Sequence, residues 1–394
     1  MSKGHFVLDK LDQVSSLEQE KRDELKNRKP RVYEKIRNFD ARAHLGFISP
    51  IIRVCWDYTC NFVCDHCCAE ERMPRTIRKL VAKNGKADNR YTMSYDDLAK
   101  FASDADEYGL YRMVLTGGEP TMWKDLFKVI EILDPNRHLV IMDSNALRIA
   151  DEEQFSVRAL ADAGVYKLQI SLDSFVEAEH DTFRKMPGSY QRVRKVLPQV
   201  IPAGMKLLVS TCLTAGRAST QEFADLNRYC TEEIGAMLYV TYAKPTGSCA
   251  SHMDWMVTKA DTDKIREFEA KGFNITTHMT PSYMRQKDAG SVPLGHYDGC
   301  ITVKGINNLE PWGDIVPCPY MDVAIGNVLQ DPIATILDRG MRIKDLGPQR
   351  NDCLIGEDPE FMGRHNTAVA RWKIQGNQVP LPWGEFWTDK DVVL

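Results

Sequence analysis

No stretch of the 394 residues is apolar for the roughly 20 positions that a bilayer crossing requires. The opening segment, MSKGHFVLDKLDQVSSLEQEKRDELKNRKPR, is charged throughout and lacks the apolar core of a signal peptide. A cytoplasmic protein with no membrane partner is the expectation. Neither sign of charge is in excess: 51 Lys and Arg stand against 55 Asp and Glu, for a net charge of -4. That balance gives no footprint for a nucleic-acid backbone and leaves a cationic substrate open. Internal repeats and low-complexity tracts are also missing. With 43% hydrophobic and 27% charged residues, the chain is long enough for one large core and a smaller module.

Cysteine, by contrast, is plentiful. Eleven thiols in a chain of this size and expected compartment argue for ligands or reactive groups rather than a disulfide framework. They fall into a tight group from Cys55 to Cys68, a loose one at Cys300, Cys318 and Cys353, and the scattered Cys212, Cys230 and Cys249.

From about residue 51 short apolar runs alternate with amphipathic stretches. Six runs read as strands: IIRVCWDYT, YRMVLTGG, LVIMDSN, VYKLQISLD, KLLVSTCLT and MLYVTYAKP. Between them, SYDDLAKFASDADEYG starts on a Ser94/Asp97 capping box and stops at Gly109, STQEFADLNRYC repeats the device with Ser219 and Glu222, and DEEQFSVRALADAG ends at Gly164. Such alternation predicts an α/β fold with a parallel sheet, and six units make a partial, open (β/α)6 barrel. The expected divisions are a solvent-facing helical extension over 1–50, the barrel over 51–250, and a connecting helix and linker over 251–295. A small α+β module over 296–362, built from hairpin-like strands, and an aromatic tail over 363–394 packed on the barrel complete the chain.

The stretch DYTCNFVCDHCCAE sets Cys60, Cys64 and Cys67 on one loop directly after the first strand. Zinc sites want four protein ligands, usually as two short pairs far apart. A [4Fe-4S] cluster held by three cysteines instead leaves one iron open for a small ligand. This spacing resembles that of the radical S-adenosylmethionine (radical SAM) enzymes, and the resemblance covers most of the chain. Its further marks are GGEP at Gly117, Gly118 and Glu119, Asn145 in DSNA, Ser171 in QISLDS, and Arg184 in HDTFRKMPGSY, each following a predicted strand in the family's order.

The resemblance implies a radical SAM barrel in which Cys60, Cys64 and Cys67 hold the cluster. It implies that the glycine–glutamate turn takes the methionine amino group, and that Arg184 reaches the ribose and the methionine carboxylate. His66 stands where an aromatic residue usually meets the adenine. S-adenosylmethionine (AdoMet) is then a cosubstrate, and an electron donor such as a flavodoxin or ferredoxin is a partner. Cys300, Cys318 and Cys353, with the wording GDIVPCPY and IGNV, look like the auxiliary-cluster module called SPASM, or its shorter twitch form. That module implies a second iron–sulfur cluster, [4Fe-4S] in type, whose fourth position is open, filled by a non-cysteine group such as Asp352, Glu357 or Asp358, or taken by another cysteine that folds back to it.

Three outcomes fit a carbon radical formed beside an auxiliary cluster: oxidation, peptide cross-linking, or return of hydrogen from the opposite face. Cys249, in YAKPTGSCASH after the sixth strand, lies on the loop that faces the active site in βα barrels. A thiol there can quench a substrate radical, so the expected reaction is epimerisation of one carbon of an aminoglycoside sugar, of the neomycin C to neomycin B type. The substrate is then a small, polar, cationic aminosugar, and Asp57, Asp143 and Asp173 at the strand ends either contact its ammonium groups or cap helices, the commoner role of such acids. A dehydrogenase acting on an aminocyclitol alcohol and a peptide-modifying SPASM maturase are the alternatives.

Overall fold

The computed structural model describes residues 16–43, 50–278, 300, 302–347 and 353–393. Its frame is one sheet of ten strands in the order β10-β9-β8-β1-β2-β3-β4-β5-β6-β7. The six expected strands are β1 (Ile51–Val54), β2 (Arg112–Leu115), β3 (Leu139–Ser144), β4 (Val165–Ser171), β5 (Lys206–Leu213) and β6 (Met237–Tyr242), and each pairs in parallel with the next. Two strands that the apolar pattern did not announce extend the parallel run: β7 (Ile275–His278) beside β6, and β8 (Ile306–Leu309) beside β1. β8 then turns into the antiparallel β9 (Asp314–Val316) and β10 (Gly326–Asn327). Since β7 and β10 stand at opposite ends of the order, the barrel is partial and open.

The helices, in chain order, are α1 (Ser16–Arg28), α2 (Pro30–Ala43), α3 (Pro74–Asn84), α4 (Tyr95–Tyr108), α5 (Leu126–Ile132), α6 (Leu147–Asp151), α7 (Val157–Asp162), α8 (Glu177–Arg184), α9 (Ser189–Val200), α10 (Gln221–Arg228), α11 (Lys259–Ala270), α12 (Ile333–Arg342) and α13 (Pro359–Ile374). Among the described residues no helix is long and apolar enough to cross a membrane.

Capping chemistry sets several ends. On α4 the Asp97 N–H donates to the Ser94 hydroxyl at 3.2 Å and the Ser94 N–H to the Asp97 carboxylate at 2.8 Å, while Gly109 closes the helix at φ +100°. The box expected on α10 forms differently. Thr220, not Ser219, caps the helix, accepting from the Phe223 N–H at 3.2 Å. Glu222 turns away to pair with Arg217 at 3.1 Å, because a cation one turn back outcompetes a backbone N–H. The single helix expected over DEEQFSVRALADAG is also interrupted: Ser156 starts α7 afresh by accepting from the Ala159 N–H, breaking the run after α6.

Burial alternates along β1 and β6, while β2 and β3 are buried at nearly every position. Ile52, Val54, Met113, Leu115, Val140, Met142, Leu168, Ile170, Val209, Leu238 and Val240 are buried under the helices. Arg53, Asp143, Gln169, Ser171, Ser210, Tyr239 and Thr241, at the intervening positions, are half-buried and line the concave side. The lumen is therefore polar.

The N-terminal extension is not wholly solvent-facing. Val32 and Phe39 of α2, with Leu25 of α1, pack on Tyr111 and Leu139 at the amino ends of β2 and β3. Lys35 reaches further in, donating to the Leu110 and Arg137 carbonyls and pairing with Asp106 at 2.5 Å. The two helices thus close the barrel end opposite the strand carboxyl termini. The aromatic tail seats Trp387 against Phe386 and Trp383 and ties its indole N–H to Asp345 at 2.9 Å, while Phe386 meets Phe361 of α13. Toward the barrel domain, the Val379 carbonyl accepts from Arg90 at 2.6 Å and Lys373 pairs with Glu71 at 2.6 Å.

Candidate active site

Every group singled out in the barrel sequence lies at the carboxyl ends of the strands. The loop leaving β1 turns tightly: the Cys67 N–H donates to the Cys64 carbonyl at 3.3 Å, and the Cys60 sulfur accepts from the Phe62 N–H at 3.4 Å. Cys60, Cys64 and Cys67 are each half-buried and near enough for their charges to act on one another. Burial pushes the free Cys60 thiol up to about 12 and raises Cys64 and Cys67 as well.

Against this loop packs the turn after β2. A Cβ on Gly118 would collide with the Thr59 carbonyl, and one on Gly117 would stand 3.0 Å from the Asp57 carbonyl oxygen. Glycine is required here because backbone meets backbone. The Gly118 and Glu119 N–H groups donate to the Asp57 and Thr59 carbonyls. The Glu119 carboxylate is buried and fully engaged: it accepts from the Thr121 and Ser144 hydroxyls and from the Asn145 N–H at 2.8 Å. It is a brace holding the loops after β2 and β3 in register, and what the turn offers a ligand is its main chain. Asn145 in turn donates to the Asn61 side chain at 2.8 Å, tying the β3 loop to the cysteine loop.

Arg184, at the end of α8, is 7% exposed and donates through Nε to Asp173 at 2.6 Å. Asp173 also accepts from the Cys212 N–H, so its carboxylate is held well below the usual range despite burial, chiefly by the guanidinium. Of the three acids considered as substrate contacts, Asp173 therefore serves Arg184. Asp57 caps its own loop through Thr59, and Asp143 pairs with Arg53 at 3.1 Å inside the lumen. One Asp143 oxygen and the Arg53 Nε are buried without a hydrogen-bond partner. Arg184 is near enough to Cys60 and Cys64 to act on both. Ser171 lies at the end of β4, within 3.5 Å of the Ser210 hydroxyl. His66 stacks on Phe183 at 4.5 Å and 6°, and burial lowers its imidazole to about 4, so it is neutral.

The loop after β6 closes the site. Gly247 abuts Cys67 and Cys68 so tightly that a Cβ would strike the Cys67 carbonyl, and the Ser248 N–H donates to that carbonyl at 2.9 Å. Cys249 is 1% exposed, in an apolar nest with Cys212 and Ala243 flanked by Phe183, Trp255 and Met256. Burial raises its thiol. Cys300, Cys318 and Cys353 converge from distant parts of the C-terminal segment: Cys353 and Cys300 both act on the Cys318 thiol, and Lys244 acts on Cys318 and Cys353. Of the acids expected nearby, Glu357 accepts from the Cys353 N–H and Asp358 caps α13, while Asp352 lies outside the described residues.

Residues 58–229 match the profile of the Radical SAM superfamily. Over that stretch the chain carries a radical SAM domain. Over 317 residues it is 26% identical to the AdoMet-dependent heme synthase of Nitratidesulfovibrio vulgaris, covering 75% of this chain and 81% of that one. Over 302 residues it is 25% identical to the mycofactocin maturase MftC of Mycobacterium tuberculosis, covering 73% and 69%. Among solved structures, Streptococcus suis SuiB bound to its precursor peptide SuiA superposes with a TM-score of 0.56 at 15% identity, over 77% of this chain and 69% of that one. The radical SAM partial barrel, with a C-terminal extension like that of SPASM enzymes, is the fold.

The residues present fit the cofactors of this superfamily. Among the described residues no three His, Cys, Asp or Glu side chains close on a single metal ion. Three thiols carried on one short loop can each hold a separate iron of a cubane. The trio on the β1 loop suits a cubane, and the glycine cradle, the braced Arg184 and the buried, unpartnered His66 Nδ1 beside it suit a polar nucleotide.

Sequence reasoning missed Asp173 as the holder of Arg184, the Arg53–Asp143 pair and Lys244. Lys244 had a signal: a lone cation ending the apolar run YVTYA. The pair in the lumen had a weaker one, an Arg between Ile52 and Val54 and an Asp directly after the apolar run LVIM, both in strands.

Proposed function

We propose that this radical SAM enzyme acts on a polar substrate, a peptide in class, and completes the substrate radical by one-electron oxidation at a second iron–sulfur cluster on Cys300, Cys318 and Cys353. The observation that carries this reading is the convergence of those three thiols beside the lumen, where Tyr320, two residues beyond Cys318, stands near Cys68, Cys212 and Arg53. When bound, AdoMet and the first cluster supply the 5'-deoxyadenosyl radical, and the second cluster supplies an electron acceptor. The protein's part is positional. Arg184, fixed by Asp173, meets the methionine carboxylate, and the Gly117–Gly118 main chain meets the amino group. Arg53 and Asp143 orient polar groups of the substrate, and Phe183 and Trp255 keep water from the radical. A peptide as substrate is supported by the likeness to SuiB, which was solved with its precursor peptide, and a maturase by the sequence relation to MftC. An external one-electron donor, a flavodoxin or ferredoxin, completes the proposal.

Inversion of an aminosugar carbon, as neomycin C is converted to neomycin B, is the second reading. It is favoured by one observation, the seating of Gly247 and Ser248 on the Cys67 carbonyl, which holds Cys249 against the first cysteine loop. Product analysis in deuterium oxide separates the two. Oxidation gives a product lighter by two hydrogens with no deuterium at carbon and survives Cys249→Ala. Inversion places one deuteron on carbon and is lost in that variant.

A further inference from the structure

Lys244 leaves the end of β6 and is only 7% exposed. A buried ammonium requires an anion, since taking an unpaired charge out of water is strongly unfavourable. Among the described residues no carboxylate lies in salt-bridge contact with it. Sulfur surrounds it instead. Lys244 Nζ and Cys353 Sγ flank one point beside Gly356, at 2.9 and 3.4 Å from where a Cβ on that glycine would stand, so an added methyl there would displace one of them. Cys318 lies within reach of the same charge. On the other side the Lys244 backbone N–H points at the Cys249 sulfur, and three residues on, Gly247 rests on the first cysteine loop. One residue thus sits between the two cysteine sites, its cation aimed at the second.

The charge finds its counterpart when the three thiols are iron-bound thiolates, because a coordinating thiol is deprotonated outright. A fixed cation beside such a cluster stabilises the form with one more electron over the form without it. We propose that Lys244 is a positioning residue for the second cluster, whose ammonium raises that cluster's reduction potential so that it takes the electron leaving the substrate. This rests on the oxidative reading above. In that step a hydrogen atom leaves carbon for the deoxyadenosyl group. The carbon radical then gives one electron to the oxidised cluster and one proton to solvent, leaving a product poorer by two hydrogens.

The test is a redox titration of the anaerobically reconstituted full chain, followed by electron paramagnetic resonance, with Lys244→Met and Lys244→Arg beside the unaltered protein. In Lys244→Met the equilibrium constant for one-electron reduction of the second cluster is expected to fall roughly tenfold, about 59 mV. Lys244→Arg should restore it, and the first cluster should be unmoved in both. Two clusters with an unchanged second potential in Lys244→Met overturn the inference and leave the oxidative reading standing. So does a Lys244→Arg protein as low as the Met variant, which would make the role one of shape and not charge. Should Lys244→Met fail to hold the second cluster, the Arg variant decides: retention at the normal potential supports charge compensation, and loss overturns it. If the unaltered protein binds only one cluster's worth of iron, the oxidative reading and the role of Lys244 fall together.

Discussion

At the scale of single residues the site is organised by buried charges that hold one another. Asp173 gathers Arg184, the Cys212 N–H and a neutral His180, whose Nδ1 accepts from the Asp173 N–H at 3.0 Å. Asp173→Asn removes the only formal negative charge in that group and strands the guanidinium. Breaking a buried pair of this kind costs about 3–5 kcal/mol, read as a lower denaturation midpoint, and the AdoMet dissociation constant should rise because Arg184 is no longer aimed. An unchanged affinity would show that Arg184 does not meet the nucleotide.

The buried histidines make a second prediction. Burial lowers His138 and His180 from the ordinary 6.5 to about 4. Between those values the unfolded chain binds protons that the folded chain refuses. Stability is therefore full above pH 6.5 and declines as pH falls toward 4. Urea midpoints at pH 7 and pH 5 check this, and His138→Gln should flatten the slope. A pH-independent midpoint would mean that these rings are charged or solvated in the folded state.

At the scale of elements, the turn after β2 shows how little room the architecture allows. Gly118→Ala drives a methyl into the Thr59 carbonyl, one residue before Cys60. Overpacking of this sort costs about 1–3 kcal/mol. The larger consequence is a displaced Cys60, seen as loss of most of the first cluster's iron and of AdoMet cleavage. Gly363→Ala, inside α13 with nothing within 4 Å of the added carbon, is the control and should stabilise the protein by roughly 0.5–1 kcal/mol. If both variants retain iron equally, the turn is not the cradle proposed for it.

The same elements show what the chain discloses before it folds. β1 to β6, the Ser94 box and the cysteine loop are legible because their determinants are local: an apolar run, a hydroxyl three residues before a carboxylate, three thiols on one turn. β8 was read only as part of a hairpin. The strand and the three residues after it, INNLEPW, hold two asparagines and no continuous apolar run, yet Asn307 and Asn308 are buried, with side chains donating to the Val303 and Val316 carbonyls. A strand that buries two asparagines does not look like a core strand, and its pairing with β1 depends on residues far away in the chain, Ile51 standing opposite Ile306.

At the scale of the whole molecule, those distant pairings meet in one buried network that joins the two cysteine-bearing segments. Arg72, four residues past Cys68 and 2% exposed, pairs with Asp322 at 2.8 Å and Glu310 at 3.4 Å and donates to the Met321 carbonyl. The Tyr58 hydroxyl donates to both Glu310 oxygens, and the Asp322 N–H donates to His365 of α13. The loop carrying Cys60, Cys64 and Cys67 is thereby clamped at both ends to the segment carrying Cys318, so the separation of the two sites is set by charge pairs rather than by a flexible linker. Arg72→Met would leave two carboxylates buried without their cation and should cost about 3–5 kcal/mol. Tyr58→Phe, which deletes only the phenol's hydrogen bonds to a charged group, should cost about 1.5–3 kcal/mol. Hydrogen exchange on the Arg72→Met protein tests the coupling directly. Residues 58–72 and 310–322 should lose protection together, because each segment is the other's support. Loss confined to one of them would mean that the two cysteine sites are held apart by something other than this clamp.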